Sequence, residues 1–198
     1  MSVSLQKLEL SINHLHSGEK LAIGDRRWAR FNGGFRRESH TVESLMAAIR
    51  RGQSFCCVLA GCDLDHCGAR WCCPNRRNDP KHCGRPIGYR KNSHFVSAQT
   101  LELDFDQGDE TSSITYLLTD SFIAKHAAFL YSTLSSTPTA PKSRVIFVLD
   151  SPYLDADSYY RARLALLNRY PESDQSIKDV ARFLYGSNPS TGECYIVA

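Results

Sequence analysis

Two carboxylates carry the clearest chemistry in this sequence. Asp104 and Asp106 stand one residue apart in Leu101-Glu102-Leu103-Asp104-Phe105-Asp106, an apolar run that reads as a strand. Side chains two apart on a strand share a face, so both acids project together while Phe105 enters the opposite side. Like charges that close repel and raise one pKa. A divalent cation removes the conflict, and oxygen-only donors favour Mg²⁺ or Mn²⁺. A turn follows Asp106, which puts the pair at a strand's carboxyl end, where α/β sites gather. Taken in isolation, an Asp-x-Asp is more often an acid in solvent at a strand end.

Two later segments add to the pair. Lys142-Ser143-Arg144 opens the run Arg144-Val-Ile-Phe-Val-Leu149, the clearest strand in the chain. Farther on, Asp174 supplies a third carboxylate and Arg182 a cation eight residues later, with Asp179 as a competing acid. Three carboxylates with basic groups suit metal-assisted phosphoryl transfer: metals bridge phosphate oxygens while Arg and Lys neutralise a triphosphate. The acids alone do not separate a polymerase from a nuclease. The set Lys142, Ser143, Arg144 and Arg182 favours the polymerase.

A second chemistry lies upstream. Seven of the eight cysteines fall between Cys56 and Cys83. The spacing Cys62-x4-Cys67-x5-Cys73-x9-Cys83, with His66, Cys72 and His82 as alternative ligands, favours a structural Zn²⁺. Cys56 and Cys57 sit in an apolar strand, where a buried cysteine behaves as a small hydrophobe. Arg70, Trp71, Arg76, Arg77 and Arg90, with Lys81, Arg85 and Lys91, surround the cluster. Cations and an aromatic on a metal-pinned loop suit a nucleic-acid backbone with base stacking at Trp71. Residues 61–90 have no apolar period, and without a metal or partner they lack a core to order them.

The elements that must position these groups follow from periodicity. Residues 1–40 read as polar and irregular, with a turn at Asn32-Gly33-Gly34. Residues 41–51 read as a helix capped by Thr41, with Val42, Leu45, Met46 and Ile49 on one face and Gly52 at its end. Phe55–Ala60 reads as a buried strand, 114–126 as a helix, and 127–133 as a strand. Residues 155–170 read as a helix capped by Asp155, with Tyr160, Leu164 and Leu167 on its buried face and Pro171 after it. Residues 194–197 read as a last strand. Alternating strands and helices give an α/β or α+β domain.

Composition bounds the rest. The 198 residues are 42% apolar and 23% charged, ordinary for a globular chain. Residues 1–91 hold 16 Lys/Arg against 8 Asp/Glu, and residues 92–198 hold 8 against 13. A basic half beside an acidic half is compatible with polyanion binding next to a metal-binding carboxylate site. No apolar run reaches the roughly 18 residues of a membrane helix. No basic segment with an apolar core opens the chain, so a cytoplasmic setting and reduced cysteines are expected.

In this order the motifs resemble the archaeo-eukaryotic primase superfamily, in particular the primase-polymerases of phages, plasmids and other mobile elements. Leu101-Glu-Leu-Asp104-Phe-Asp106 is similar to the family's Asp-x-Asp/Glu strand. Lys142-Ser143-Arg144 stands in the place of its Ser-x-His strand, and Asp174 with Ile177 and Arg182 resembles its hydrophobic-Asp motif. Tyr131–Thr137 is similar to its Ser/Thr-rich strand and turn. Arg144 replaces the family histidine. It keeps a phosphate donor but cannot carry a proton.

The resemblance covers residues 41–190. It implies one catalytic domain over 1–198 with a zinc-binding insert at 56–90, built as two packed modules around a sheet like that of RNA-recognition domains. It implies two metals on Asp104, Asp106 and Asp174. The reaction would be attack of a primer or nucleotide hydroxyl on the α-phosphate of a nucleoside triphosphate, on a single-stranded DNA template. Relatives often carry a helicase or helical accessory domain after this region. The alternatives are a non-catalytic zinc module that binds single-stranded nucleic acid, and a metal-dependent nuclease. Elemental analysis of the purified protein should find bound zinc; a zinc-free preparation would reject the cysteine assignment.

Overall fold

The computed structural model describes residues 7–60, 87–88, 90–176 and 179–197. Cys62, Cys67, Cys73 and Cys83, their alternatives His66, Cys72 and His82, and Arg70, Trp71, Arg76 and Arg77 lie outside the described residues.

The expectation of an irregular first forty residues is overturned. Strand β1 (Leu8–Ser17) pairs antiparallel with β2 (Phe35–His40), and helix α1 (Trp28–Asn32) lies between them in sequence. The signal is present in Leu8-Glu-Leu10-Ser-Ile12: alternate residues enter a core and are essentially inaccessible. Ser11 and Asn13 on the other face are buried too, which blurs the polar-out pattern. Each is satisfied: Ser11 Oγ accepts from the Leu59 amide at 3.1 Å, and Asn13 Nδ2 donates to the Phe31 carbonyl at 2.8 Å.

Helix α2 (Val42–Arg50) follows the reading from periodicity. Thr41 and Ser44 cap it reciprocally, with the Ser44 amide 3.3 Å from Thr41 Oγ1 and the Thr41 amide 2.9 Å from Ser44 Oγ. Gly52 ends it at φ +78, and a Cβ there would lie 2.3 Å from the Gly18 amide nitrogen. The strand expected over 55–60 is two. β3 (Gln53–Cys56) pairs with β1, the chain bends at Cys57, and β4 (Val58–Leu59) joins a second sheet. Cys56 and Cys57 are buried in a cluster with Phe31, Phe35 and Tyr159, as small hydrophobes.

The first sheet has the order β3-β1-β2-β5, with β5 (Ile87–Gly88) on its edge. The second has the order β4-β6-β8-β7-β9, from β6 (Phe95–Phe105), β8 (Ser143–Tyr153), β7 (Phe129–Ser132) and β9 (Cys194–Ile196). All pairings within both sheets are antiparallel. The helix expected over 114–126 is broken into α3 (Ile114–Leu117) and α4 (Ser121–His126). Asp120 takes the Phe122 and Ile123 amides and starts the second. Helix α5 (Ala156–Arg169) is capped by Asp155. Its buried stripe is Tyr159, Arg163, Leu166 and Leu167, rotated from the expected Tyr160 and Leu164; Leu164 is 37% exposed.

The architecture is therefore a mixed α/β one with antiparallel sheets and few helices. One core joins β1, α2 and the second sheet through Leu8, Leu10, Leu45, Ile49, Phe129 and Ile146. Another lies between the far face of the second sheet and α3–α5, through Leu103, Phe105, Val145, Ile123 and Leu167. No helix among the described residues is long and apolar enough to cross a membrane. Leu45 is fully buried on α2. Leu45→Ala should cost about 2–5 kcal/mol in denaturant unfolding; a loss below about 1 kcal/mol would contradict this packing.

Candidate active site at the ends of paired strands

Strand β6 sorts its side chains by alternation. Leu101, Leu103 and Phe105 pack toward the helices. Glu102 and Asp104 take the other face and are buried, and Asp106 continues it just past the strand, exposed. The register sets Asp104 directly opposite Arg144 on β8, and Arg144 opposite Tyr131 on β7. Directly opposed antiparallel residues bring their side chains into contact.

Those contacts are made. Arg144 Nη2 donates to Asp104 Oδ2 at 2.5 Å, and Nη1 donates to Tyr131 Oη at 2.8 Å and to the Tyr185 carbonyl at 3.1 Å. Tyr131 Oη donates to that same carbonyl at 3.0 Å. Burial opposes the charge on Arg144, but Asp104 and Tyr131 outweigh it and hold the guanidinium more firmly protonated than usual. Burial likewise keeps the Tyr131 phenol protonated. Asp104 Oδ1 and Arg144 Nε are buried and have no hydrogen-bond partner among the described residues.

The segment around Asp174 comes to the same strand end. Its amide donates to the Asp104 carbonyl at 2.8 Å. Its carboxylate accepts from the Ser176 amide at 2.8 Å and from Arg182 Nη2 at 2.9 Å. Burial opposes ionisation of Asp174, but the Ser176 hydrogen bonds and the Arg182 charge prevail and hold its pKa below the usual carboxylate range. The competing acid, Asp179, is turned elsewhere. It takes Arg90 Nη1 at 2.6 Å and the Ala181 amide at 2.9 Å. Arg90 also stacks on Phe183 and donates to Asn32, so this cation sits inside the chain's own contacts.

Ser143 is buried between its strand neighbours Phe105 and Ser132. Lys142 lies beside the turn after Asp106: a Cβ on Gly108 would sit 3.9 Å from Lys142 Cε. Gln107 Nε2 donates to the Glu172 carbonyl and closes the 104–108 and 172–176 segments on each other. The three sequence motifs thus meet at one end of the second sheet. Among the described residues no three Asp, Glu, His or Cys groups converge as a ready metal cage. Asp104 and Asp174 are each held by an arginine instead.

Beside Ser143 opens a groove of about 720 Å³, lined by hydroxyls such as Ser113, Thr133 and Thr139 and by Asp109, Glu110 and Glu193. Among the described residues no Lys or Arg lines it. The cations lie instead at the neighbouring strand ends, on Arg144 and Arg182.

One ionic pair escaped the reading from sequence. Glu102, two positions before Asp104 on the same face, pairs with Arg163 of α5, and both are nearly inaccessible. Arg163 also donates to Tyr159 Oη at 2.5 Å and to the Asp179 carbonyl at 2.9 Å. The signals were available: Glu102 shares the Asp104 parity, and 159, 163, 166 and 167 trace one helical stripe.

No family model matches the chain, and no curated protein matches it. Among solved structures it is similar to the AEP domain of the primase-polymerase of cyanophage S-2L. That likeness covers 100% of this chain and 83% of the other, at 9% identity and a TM-score of 0.46. At those values it bears on no residue and no chemistry. Arg163→Met should destabilise the fold by about 3–5 kcal/mol, because it strands the Glu102 charge. Replacing Glu102 and Arg163 together by Leu and Met should recover much of that loss. A double variant no more stable than the single one would show that the charge pair is not the cause.

Proposed function

We propose that the chain is a nucleotidyl transferase of primase-polymerase type. It joins the 3′-hydroxyl of a primer, or of a first nucleotide, to the α-phosphate of a nucleoside triphosphate on a single-stranded DNA template, with pyrophosphate leaving. What supports this reading is the meeting of Asp104, Asp106, Arg144, Asp174 and Arg182 at one strand end, anchored by the main-chain bond between Asp174 and Asp104.

The donor set suits a hard divalent cation. Asp104 Oδ1 is a buried acceptor with no partner among the described residues, and Asp106 lies exposed on the same face. Asp104, Asp106 and Asp174 would hold Mg²⁺ or Mn²⁺, which when bound supplies charge to the phosphates and acidity to the attacking hydroxyl. Arg144, Arg182 and Lys142 offer positive donors for the triphosphate, with Ser143 between Lys142 and Arg144 in sequence. Arg144 has fixed partners and holds its proton, so it works by orientation and charge rather than proton transfer. On this reading the cysteine-rich stretch within 56–90 binds a structural zinc, and Arg70, Trp71, Arg76 and Arg77 contact the template. The reaction is that of a cytoplasmic replication protein, and a helicase or accessory domain is a partner consistent with it.

A second reading has its own observation. Asp104 and Asp174 are already neutralised by arginines, which suits a nucleic-acid-binding module that does no chemistry.

Incubation with primed and unprimed template, labelled nucleotides and Mn²⁺ separates these readings. Extension or new primers supports the transferase, shortened substrate a nuclease, and binding without chemistry the module. Asp106→Asn is the clean variant, since Asp106 is exposed. It should reduce extension on the order of 100-fold or more with the melting temperature unchanged. Undiminished extension would reject the site. Asp104→Asn is expected to be destabilised as well, because it leaves Arg144 buried without its anion.

A further inference from the structure

The arginines assigned to the triphosphate are already bound to the acids assigned to the cations. Arg144 holds Asp104 at 2.5 Å with side chains 8% and 10% exposed, and Arg182 holds Asp174 at 2.9 Å with side chains 28% and 23% exposed. Surface ion pairs trade partners with water at little cost. A buried charge deprived of its partner is costly. A cation that captures Asp104 therefore strands the buried Arg144 guanidinium, and one that captures Asp174 leaves the partly exposed Arg182 without its anion at a smaller cost. A triphosphate that captures Arg144 or Arg182 leaves a carboxylate stranded. When both ligands arrive, every charge is matched again.

We propose that this site loads divalent cation and triphosphate together, exchanging its two internal arginine–carboxylate pairs for carboxylate–metal and arginine–phosphate pairs, and that it resists either ligand alone. The inference rests on the nucleotidyl-transfer reading and adds that Arg182 antagonises metal binding. Asp106 is the foothold from which exchange begins. It is exposed and makes no hydrogen bond or ion pair among the described residues. Asp104 Oδ1 is the second waiting acceptor. Lys142 supplies an internal control: it is a nearby cation with no acid partner among the described residues, so exchange gives it no hold over the metal.

The test uses the whole chain, Mn²⁺ alone, and a non-hydrolysable nucleoside triphosphate alone and with Mn²⁺. Free Mn²⁺ is read by electron paramagnetic resonance and triphosphate binding by calorimetry. In the unmodified chain each ligand should tighten the other by the same factor. Arg182→Met should bind Mn²⁺ alone roughly three- to tenfold tighter than the parent, while binding the Mn²⁺–triphosphate more weakly. Arg182→Lys should restore parental metal binding. Lys142→Met should weaken triphosphate binding but leave Mn²⁺ affinity within roughly twofold.

If Arg182→Met gains no Mn²⁺ affinity, or Lys142→Met gains as much, the exchange is wrong. Should Arg182→Met fail to fold by thermal melting, Asp174→Asn decides. It frees Arg182 and must bind the triphosphate without metal more tightly than the parent, and no gain overturns the proposal. Primer extension by the unmodified chain keeps the outcomes apart. Extension with no metal gain in the variant removes the exchange alone, whereas no extension and no triphosphate binding removes the function and the exchange together.

Discussion

The contact between Asp104 and Arg144 organises the rest of this end of the molecule. Antiparallel register sets the two residues opposite each other, and the core beneath them leaves little water to solvate either charge. Once buried, the guanidinium requires further acceptors. Tyr131 supplies one from the next strand, and the carbonyl of Tyr185 supplies another from the C-terminal segment. That segment is in turn stitched to β3 by paired main-chain bonds between Phe55 and Leu184. A single ion pair thus draws together three strands of one sheet and a segment that also grips the other.

Glu102 and Arg163 repeat the pattern one step deeper. The two acids of β6 are neighbours on one face, and each faces an arginine brought by a different element, β8 for one and α5 for the other. Charge pairs inside a fold add little net stability over well-packed apolar residues. They do penalise wrong partners, because any slip of β6 against β8 or of α5 along the sheet leaves an unmatched charge. Strand register and helix position here are set by electrostatics as well as by hydrophobic fit.

This explains which elements could be read from the chain. Helix α2 was legible because its apolar face, its Thr41 cap and its terminal Gly52 agree. The strands around Asp104 and Arg144 were legible from dense β-branched and apolar runs. Strand β1 was missed although Leu8, Leu10 and Ile12 alternate with polar residues, because the run is short and its phase breaks after Asn13, where Leu15 takes the opposite parity and faces solvent. The stripe of α5 was misread because pattern reading sends an arginine outward, and Arg163 points in. The break between α3 and α4 turns on Asp120, whose capping role competes with a helical pattern that runs straight through it. The meeting of the Asp104 and Asp174 segments depends on a long-range main-chain bond. No local spacing encodes it; the motif order alone pointed there. The groove beside Ser143 had no signature beyond a run of hydroxyls.

The bend at Cys57 has a mechanical side. The chain leaves β3, on the rim of the four-stranded sheet, and is at once paired again in β4, on the rim of the five-stranded one. The two sheets are thus joined covalently at their rims, with Cys57 as the only residue between the paired segments. A shift of β3 along β1 therefore drags β4 along β6, so strain in one layer is passed to the other through a single residue.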